Sequence, residues 1–313
     1  MSTPPRPAPP DAHPSPAPPR AGGVEKTSSG GAETAGEPAE GRPAETAPAL
    51  TVTLLGTGTS TGVPVIGCRC AVCTSDDPRD RRLRTSAHVV AHTAAGDVHL
   101  QIDTGPDFRE QALRAGVSAV DALLVTHEHF DHVVGLDDLR PFFFETKAPV
   151  PVFAQPSTAD SLRDMFRYIF DRTYPGSSVL DLHPVDGPFV ASAREAPAAR
   201  VEVVPVPAVH GRFRVLGFRI GAFAYLTDVN GVPPSSRALL EGVETLVLDG
   251  LRPERHPSHF SFAEAAAFAQ SLGARETWLT HVTHAVTHVE ADASLPPGVR
   301  LGYDGLVLEV AAA

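Results

Sequence analysis

Two hydrophobic periodicities alternate along the chain from Leu50 onward. Short runs rich in β-branched residues are typical of strands and occur at 51–55, 87–93, 98–103, 121–126, 201–206, 214–220, 222–227, 245–249, 276–280 and 306–310. Stretches with helical spacing occur at 107–116, 157–170, 235–241 and 261–272. Asp107 and Gly116 are the predicted N-cap and C-terminal stop of the first helix, and Ala95-Gly96-Asp97 is the predicted turn of a hairpin.

The order of these elements predicts the architecture. Strands and helices are mixed along the chain, and histidines and aspartates stand where several strands end. Sheets with one apolar face must bury that face against another layer. We therefore predict an α/β (α+β) fold in which two sheets pack between outer helices, a four-layer αββα sandwich.

The first 49 residues follow neither periodicity. They contain 12 of the 31 prolines, and Val24 is the largest apolar side chain between Met1 and Leu50. Such a composition buries too little apolar surface to offset the entropy of ordering. We predict that residues 1–49 form a disordered Pro/Ala-rich tail and that residues 50–313 form one domain.

Charge and hydropathy restrict the partners. No segment reaches the roughly 18 uninterrupted apolar residues of a membrane span, and the start lacks the apolar stretch of a secretory signal. We therefore expect a cytoplasmic protein without a membrane partner. The net charge of -11 disfavours a broad nucleic-acid surface but allows a small anionic substrate. The oligomeric state stays open, with a homodimer as one alternative.

The most informative stretch is "THEHFDH" at 126–132, directly after the apolar run "ALLV". It supplies four clustered ligand groups, namely His127, His129, Asp131 and His132. Imidazole and carboxylate together suit zinc, manganese or iron, and a loop after a strand can turn neighbouring side chains toward two cations. Three further candidates follow later apolar runs, namely His210, Asp228 and His281. Together these residues predict a two-metal site.

This pattern resembles the His-x-His-x-Asp-His signature of the metallo-β-lactamase superfamily, whose five motifs appear in order between residues 51 and 310. The resemblance implies the αββα sandwich of that superfamily and two divalent cations, zinc or manganese. It implies that one cation is bound by His127, His129 and His210, and the other by Asp131, His132 and His281. It further implies that Asp228 bridges both cations and that Asp103 in "QIDTG" orients the ligands through hydrogen bonds.

The three cysteines of the chain, Cys68, Cys70 and Cys73, lie within one short stretch, "GCRCAVC". Disulfides are sterically unpromising at this spacing, and a cytoplasmic setting keeps thiols reduced. Three thiolates lack one ligand for a tetrahedral structural zinc. We choose His284, three residues after His281, as the fourth ligand. Inert or redox-active thiols are the alternative.

Five stretches are similar to the phosphoribosyl cyclic phosphate phosphodiesterase (PhnP-like) branch of the superfamily, the enzymes of the carbon–phosphorus lyase pathway and their relatives. They are "GTGTSTGVPVIGCRCAVC", "THEHFDH", "HPSHFS", "LTHVTH" and "YDGL". A related cysteine-rich loop occurs in the cofactor-synthesis protein PqqB. In the phosphodiesterase branch a histidine between the fourth and fifth motifs acts near the leaving group, and the matching position is His259. The resemblance thus implies Asp131 and His259 as catalytic residues.

The expected chemistry follows from two cations about 3.5 to 4 Å apart, which lower the pKa of a bridging water and stabilise a transferring phosphoryl group. We predict a metal-dependent phosphoric diester hydrolase that attacks a small cyclic phosphate with bridging hydroxide, with His259 as proton donor. His256 and His288 are competitors for that role, and Arg82 or Arg84 could contact the anionic substrate. Two alternatives stay open. One is another hydrolase of the fold, for thioesters, lactones or RNA ends, and the other is a PqqB-like accessory protein in cofactor biosynthesis.

Overall fold

The computed structural model describes residues 49–171 and 180–311. The predicted tail lies outside the described residues, apart from Ala49 at its end. The strands are β1 Leu50–Gly56, β2 Ser86–Thr93, β3 Gly96–Ile102, β4 Ala122–Leu124, β5 Val150–Ala154, β6 Leu180–Pro184, β7 Phe189–Ser192, β8 Arg200–His210, β9 Phe213–Ile220, β10 Phe223–Leu226, β11 Thr245–Asp249, β12 Glu276–Thr280, β13 Val299–Leu301 and β14 Val307–Val310.

The helices of the described residues connect these strands. They are α1 Phe108–Ala115, α2 Phe130–Val133, α3 Arg140–Thr146, α4 Pro156–Met165, α5 Arg167–Phe170, α6 Pro234–Ala238, α7 Phe262–Leu272 and α8 His288–Ser294, with short 3-10 helices at Pro78–Asp80 and Leu136–Leu139. Within the described part of the chain, no helix is both long and apolar enough to cross a membrane.

The strands form two seven-stranded sheets, in the orders β14-β1-β2-β3-β4-β5-β6 and β13-β12-β11-β10-β9-β8-β7. Each sheet is half antiparallel and half parallel. In the first sheet the parallel half runs from β3 to β6, and in the second it runs from β10 to β13. Ligands of open sheets commonly bind where parallel strands end, so these halves are the places to look for a site.

Three apolar clusters show that the layers are helix, sheet, sheet and helix. One cluster joins the facing sides of the two sheets and includes Val52, Leu100, Phe218 and Tyr225. A second packs α7 and α8 on the second sheet, and a third packs α1 and α4 on the first sheet. The predicted four-layer αββα sandwich is therefore confirmed.

All predicted strand regions contain an observed strand, but β5, β6, β7, β13, α2, α3 and α8 were not predicted. Pro151 lies inside β5, and proline argues against a strand because it donates no ladder hydrogen bond. Strands β7 and β13 are sheet edges of four and three residues, which are too short to show a periodicity. Helix α8 does carry a signal, the capping box of Thr287 and Glu290.

Three local expectations need correction. Asp107 lies at the N-cap of α1 but makes no capping bond, because its carboxylate accepts hydrogen bonds from Arg84. The expected helix at 157–170 is divided between α4 and α5 at Phe166. Thr93 pairs with Gly96, so the turn of the β2–β3 hairpin falls at 94–95, one residue earlier than expected. Gly116 does end α1, with a left-handed φ of 66°.

Candidate metal and active site

The candidate ligands meet where the parallel halves of the two sheets end. Asp103 follows β3, and the stretch 126–132 follows β4. From the second sheet, Asp228 follows β10 and His281 follows β12. His210 is the last residue of β8. The fold thus brings together residues from five distant segments of the chain.

Three of these residues have a backbone conformation that is uncommon for residues other than glycine. The φ angles are 56° for Asp103, 52° for Asp228 and 62° for His281, and all three side chains are buried. Non-glycine residues in the left-handed region cost conformational energy and concentrate at functional sites. The strands therefore end in turns that direct these side chains to a common point.

The loop that carries the histidines is fixed by close backbone contacts. The amide of Thr104 donates to the carbonyl of His132 at 2.7 Å, and the amide of Gly135 donates to the carbonyl of Thr104 at 2.8 Å. A Cβ atom at Gly105 would overlap the carbonyl oxygen of Asp131. Glycine is therefore needed at 105 for the two segments to lie so close.

The ligand atoms form two groups that share one carboxylate. In one group, atoms of His127, His129, His210 and Asp228 lie within 4.8 Å of one another, and in the other the same holds for Asp131, His132 and His281. Asp228 Oδ2 is 3.8 Å from the Nε2 atoms of both His127 and His210. Asp228 Oδ1 is 3.2 Å from His132 Nε2 and 3.3 Å from His281 Nε2. Each oxygen of Asp228 thus faces a different group, which is the arrangement of a bridging ligand.

The donors fit divalent cations. His132 Nε2 and both ring nitrogens of His281 are buried without a hydrogen-bond partner among the described residues. A buried polar group without a partner is costly, and imidazole nitrogens together with carboxylates are the ligands that zinc and manganese accept. His281 and His132 hold the pKa of Asp228 well below its usual range despite burial, so this carboxylate stays ionised.

Asp103 orients one histidine from behind. Its carboxylate accepts from the amide and the hydroxyl of Thr126 at 2.8 and 2.7 Å, and from His132 Nδ1 at 2.7 Å. With its proton on Nδ1, His132 presents the Nε2 lone pair to the site. Although burial disfavours a charged ring, Asp228 and Asp103 raise the pKa of His132 well above its usual value.

The cysteines form a second, separate group with His284. His284 Nδ1 lies 3.5 Å from Cys68 Sγ, 3.3 Å from Cys70 Sγ and 3.4 Å from Cys73 Sγ. Backbone amides point at the sulfurs, since Val65 donates to Cys73 and Cys73 donates to Cys70. The bond from the Cys73 amide lowers the pKa of Cys70 to about 6. Three thiols and one imidazole nitrogen at these separations fit a tetrahedral zinc.

His259 lies at the edge of the two-metal group. Its Nδ1 donates to Asp249 Oδ2 at 2.7 Å, and its Nε2 is 4.0 Å from Asp228 Oδ2. Burial lowers the pKa of His259 to about 4, and burial raises the pKa of Asp249 well above its usual range. Asp249 was missed by the sequence analysis. The sequence did carry a signal for Asp249, which ends the buried strand "TLVLD". Asp103 and Asp228 stand in similar places, directly after strands.

Two of the other candidates lie away from the site. His288 is buried and pairs through Nδ1 with the guanidinium of Arg82 at 3.1 Å. Arg82 is itself only 3% exposed and donates to Thr57 Oγ1 and the carbonyl of Gly302. Burial lowers the pKa of Arg82 to about 10. This pair serves the packing of the chain rather than a substrate.

His256 and Arg84 lie nearer the site. The ring of His256 is 5.2 Å from that of His259, and both residues line the cavity over the metal groups. Arg84 donates to the carboxylate of Asp107 at 2.9 Å and to the carbonyl of Ser60 at 3.2 Å, so its charge is already paired.

The cavity over the metal groups has a volume of about 440 Å³. Hydroxyl side chains from three segments line it, and Arg252, which the sequence analysis did not single out, supplies a guanidinium. Leu251 is the one aliphatic residue in the described lining. The cavity is therefore suited to a small, polar and anionic molecule.

Comparison with known proteins agrees with this geometry. The family model described as the beta-lactamase superfamily domain matches residues 99–282. A crystal structure of a diphosphatase from the PhnP family superposes with a TM-score of 0.74 at 41% sequence identity, covering 83% of this chain and 96% of that one. This chain belongs to the PhnP family of the metallo-β-lactamase superfamily. The predicted family is thereby confirmed, and its fold implies divalent cations.

Two curated relatives of this PhnP-family chain have other names. The octanoyltransferase of Porphyromonas gingivalis is 43% identical over 258 residues, which are 81% of this chain but 50% of the relative. The chain thus spans half the length of that protein. The coenzyme PQQ synthesis protein B of Methylobacterium radiotolerans is 27% identical over 229 residues, covering 64% of this chain and 73% of the relative.

Proposed function

We propose that this metallo-β-lactamase fold hydrolase is a phosphodiesterase that acts on a small phosphate ester. The observation that carries the proposal is the bridging position of Asp228, whose two oxygens face two different ligand groups. A pair of cations supplies a water of lowered pKa and stabilises the charge of a transferring phosphoryl group. Hydrolysis of a phosphoric diester is the reaction that uses both properties.

The ligand assignment follows the two groups. We assign His127, His129 and His210 to one cation, Asp131, His132 and His281 to the other, and Asp228 to both. Zinc or manganese suits this mixture of imidazole and carboxylate. A structural zinc is assigned to Cys68, Cys70, Cys73 and His284.

His259 is the proton donor in this proposal, and Asp131 acts as a metal ligand. His259 Nδ1–H is held by Asp249, so Nε2 is the ring atom that faces the cavity. A bound anionic phosphate favours the protonated ring, and that ring donates its Nε2 proton to the departing oxygen. Asp131 Oδ2 lies 3.4 Å from His132 Nε2 and 3.7 Å from His281 Nε2, where it holds the ligand set together.

The PhnP-family relative supports a phosphorus substrate, because it is named a diphosphatase. In a diester and in a diphosphate alike, the reaction breaks a bond between a tetrahedral phosphorus and a leaving oxygen, so one site geometry suits both. We place a small cyclic phosphate first, of the phosphoribosyl cyclic phosphate type, and a small diphosphate second. A cytoplasmic location is part of the same proposal.

A thioester is the second candidate, and the 43% identical octanoyltransferase favours it. An octanoyl chain needs an apolar channel, because each buried methylene contributes about 0.8 kcal/mol. The described lining of the cavity offers hydroxyls, imidazoles and carboxylates, with Leu251 as its aliphatic member. This lining favours the phosphate ester.

The experiment compares substrate classes on the full chain reconstituted with zinc or manganese. We expect turnover of bis(p-nitrophenyl) phosphate and of a five-membered cyclic phosphate of ribose, and none of an octanoyl thioester or a lactone. Asp228→Ala protein serves as the control for contaminating phosphatases. Faster turnover of the thioester would replace the proposal with acyl chemistry. Stoichiometric binding without any turnover would favour the accessory role.

A further inference from the structure

Three histidines are assigned to one of the two cations, and they differ in how their rings are held. His127 Nδ1 lies 3.0 Å from the hydroxyl of the preceding threonine, and His210 Nδ1 donates to the carbonyl of Ser258 at 2.8 Å. Among the described residues, His129 instead forms its hydrogen bond with His127, at 2.9 Å, and its ring packs edge-on against Phe213. A metal-bound imidazole usually donates its other ring nitrogen to a fixed acceptor. The orientation of His129 therefore depends on the backbone on either side of it.

Glu128, which separates His127 from His129 along the chain, anchors this backbone. Its carboxylate accepts a hydrogen bond from the hydroxyl of Thr158 at 2.5 Å. Thr158 is fully buried in the first turn of α4, which packs on the first sheet. A loop residue that is bonded to a buried helix residue has little freedom to rotate. The two ligands that flank Glu128 are therefore fixed relative to α4.

The hydrogen bonds continue from Thr158 to the second sheet. Gln155 Nε2 donates to Thr158 Oγ1 at 3.2 Å and to the carbonyl of Arg214 at 2.8 Å. Arg214 lies in β9, which pairs with the end of β8, where the ligand His210 stands. This series of hydrogen bonds thus joins the loop that carries two of the histidines to the hairpin that carries the third.

We propose that Glu128, Thr158 and Gln155 form a polar network that positions the ligands of one cation. Two of these ligands come from the loop after β4 and the third from β8, so their separation depends on how the two sheets are held together at this end. The ligands of the other cation are held differently, through Asp103 behind His132. The network therefore controls the affinity for one cation and not for the other. This inference rests on the ligand assignment of the proposed function but not on its reaction.

The test is the stepwise removal of zinc from the metal-loaded full chain by a chelator of known affinity, which reads metal affinity without turnover. In Glu128→Leu we expect one step to weaken roughly 10-fold, the lower end of the range for loss of a partner behind a ligand, and the other steps to stay within about twofold. His210→Ala marks the step that belongs to this cation. Thr158→Val should weaken the same step, and the double variant should be no weaker than Glu128→Leu, because both changes remove one hydrogen bond.

Two control variants separate the network from a general loosening of the fold. Glu128→Gln keeps an oxygen that accepts from Thr158, so we expect it to recover most of the affinity that Glu128→Leu loses. Ser157→Ala removes the exposed hydroxyl next to Thr158 and should change no step. At saturating zinc, kcat of Glu128→Leu should return to near the wild-type value, because Glu128 does not line the described cavity. A kcat that stays low would overturn the positioning role.

Two further outcomes would overturn the network. Equal weakening of all steps in Glu128→Leu would mean that Glu128 stabilises the fold as a whole. Unchanged zinc release in both Glu128→Leu and Thr158→Val would mean that the hydrogen bond does not position the ligands. Thr158→Val alters the shape of the chain least, so it gives the decisive reading if Glu128→Leu does not fold.

The same samples separate this inference from the proposed function. If the wild-type chain hydrolyses no diester but one step weakens selectively in Glu128→Leu, the network stands and the proposed reaction fails. If diesters are hydrolysed and the variants release zinc as the wild type does, the reaction stands and the network fails. If the wild-type chain holds no zinc beyond that of the cysteine group, the ligand assignment fails and the network fails with it.

Discussion

The two candidate metal-binding groups of this protein are built in opposite ways. The ligands of the two-metal group come from segments as far apart as residues 127 and 281, and most of them are buried at the ends of strands. The cysteine group takes three ligands from six consecutive residues and one from His284, and only Cys73 among them is buried.

This difference indicates, for each group, whether the fold positions the ligands or the bound metal orders the chain. The sheets, with their own apolar core, hold the ligands of the two-metal group in place, including Asp228 and His281, whose backbone is left-handed. The cysteine loop has a small cluster of its own around Val63 and Val72, and its Ile66 is 97% exposed. We infer that the fold holds the ligands of the two-metal site in place without the metals. The conformation of the cysteine loop, by contrast, depends on its bound zinc. The predictions below test this contrast.

The largest expected effect is that of Asp228→Ala. Loss of the bridging carboxylate should remove about two metal equivalents while the cysteine zinc stays. Turnover should fall by more than the roughly 10- to 100-fold that follows loss of an outer hydrogen-bond partner. Elemental analysis and assay of the same sample give both values, with the exposed Asp160→Ala as control. Loss of all three metals would contradict the independence of the two groups.

His259→Ala should have the next largest effect. Without a proton donor, turnover of an alkyl phosphodiester should fall by roughly 10² to 10⁴ while metal content stays near normal. The loss should shrink on nitrophenyl esters, because a nitrophenolate leaves without a proton. Asp249→Asn should give the same pattern in weaker form, since Asp249 holds Nδ1 of this ring. Metal loss in His259→Ala would instead make His259 a ligand.

Asp103→Asn should weaken metal binding by roughly 10- to 100-fold, the usual effect of losing a partner behind a ligand. The amide keeps the size of the carboxylate, but its NH₂ group only donates, so it cannot replace the oxygen that accepts from the Thr126 amide or the one that accepts from the Thr126 hydroxyl and His132. Titration of metal-free protein with zinc measures the affinity, and Asn at the exposed Asp181 is a control. An unchanged affinity would show that His132 keeps its orientation without Asp103.

The sequence was sufficient to identify candidate site residues of the same chemical type that recur at short spacing. The cluster at 127–132 and the three cysteines stand out because these residues are close along the chain. His284 could be chosen because it follows His281 by three residues. Isolated residues were harder. Arg252 and Arg82 both lie in polar loops, and only the packing shows that Arg82 donates to Thr57 whereas Arg252 lines the cavity.

Cys70→Ser should affect chemistry least and stability most. Structural zinc contributes folding free energy, and the cysteine loop has few apolar contacts to replace it, so Tm should fall and one metal equivalent should be lost. Below the new Tm, kcat should stay near the wild-type value, because the ligands of the two-metal group lie on the strand ends. Calorimetric melting, metal analysis and kcat at low temperature are the three readings. Since His284 also lines the cavity, a rise in KM with kcat unchanged would mean that the zinc loop helps to shape the cavity. A collapse of kcat with Tm unchanged would reverse the contrast, because the cysteine group would then belong to the reaction.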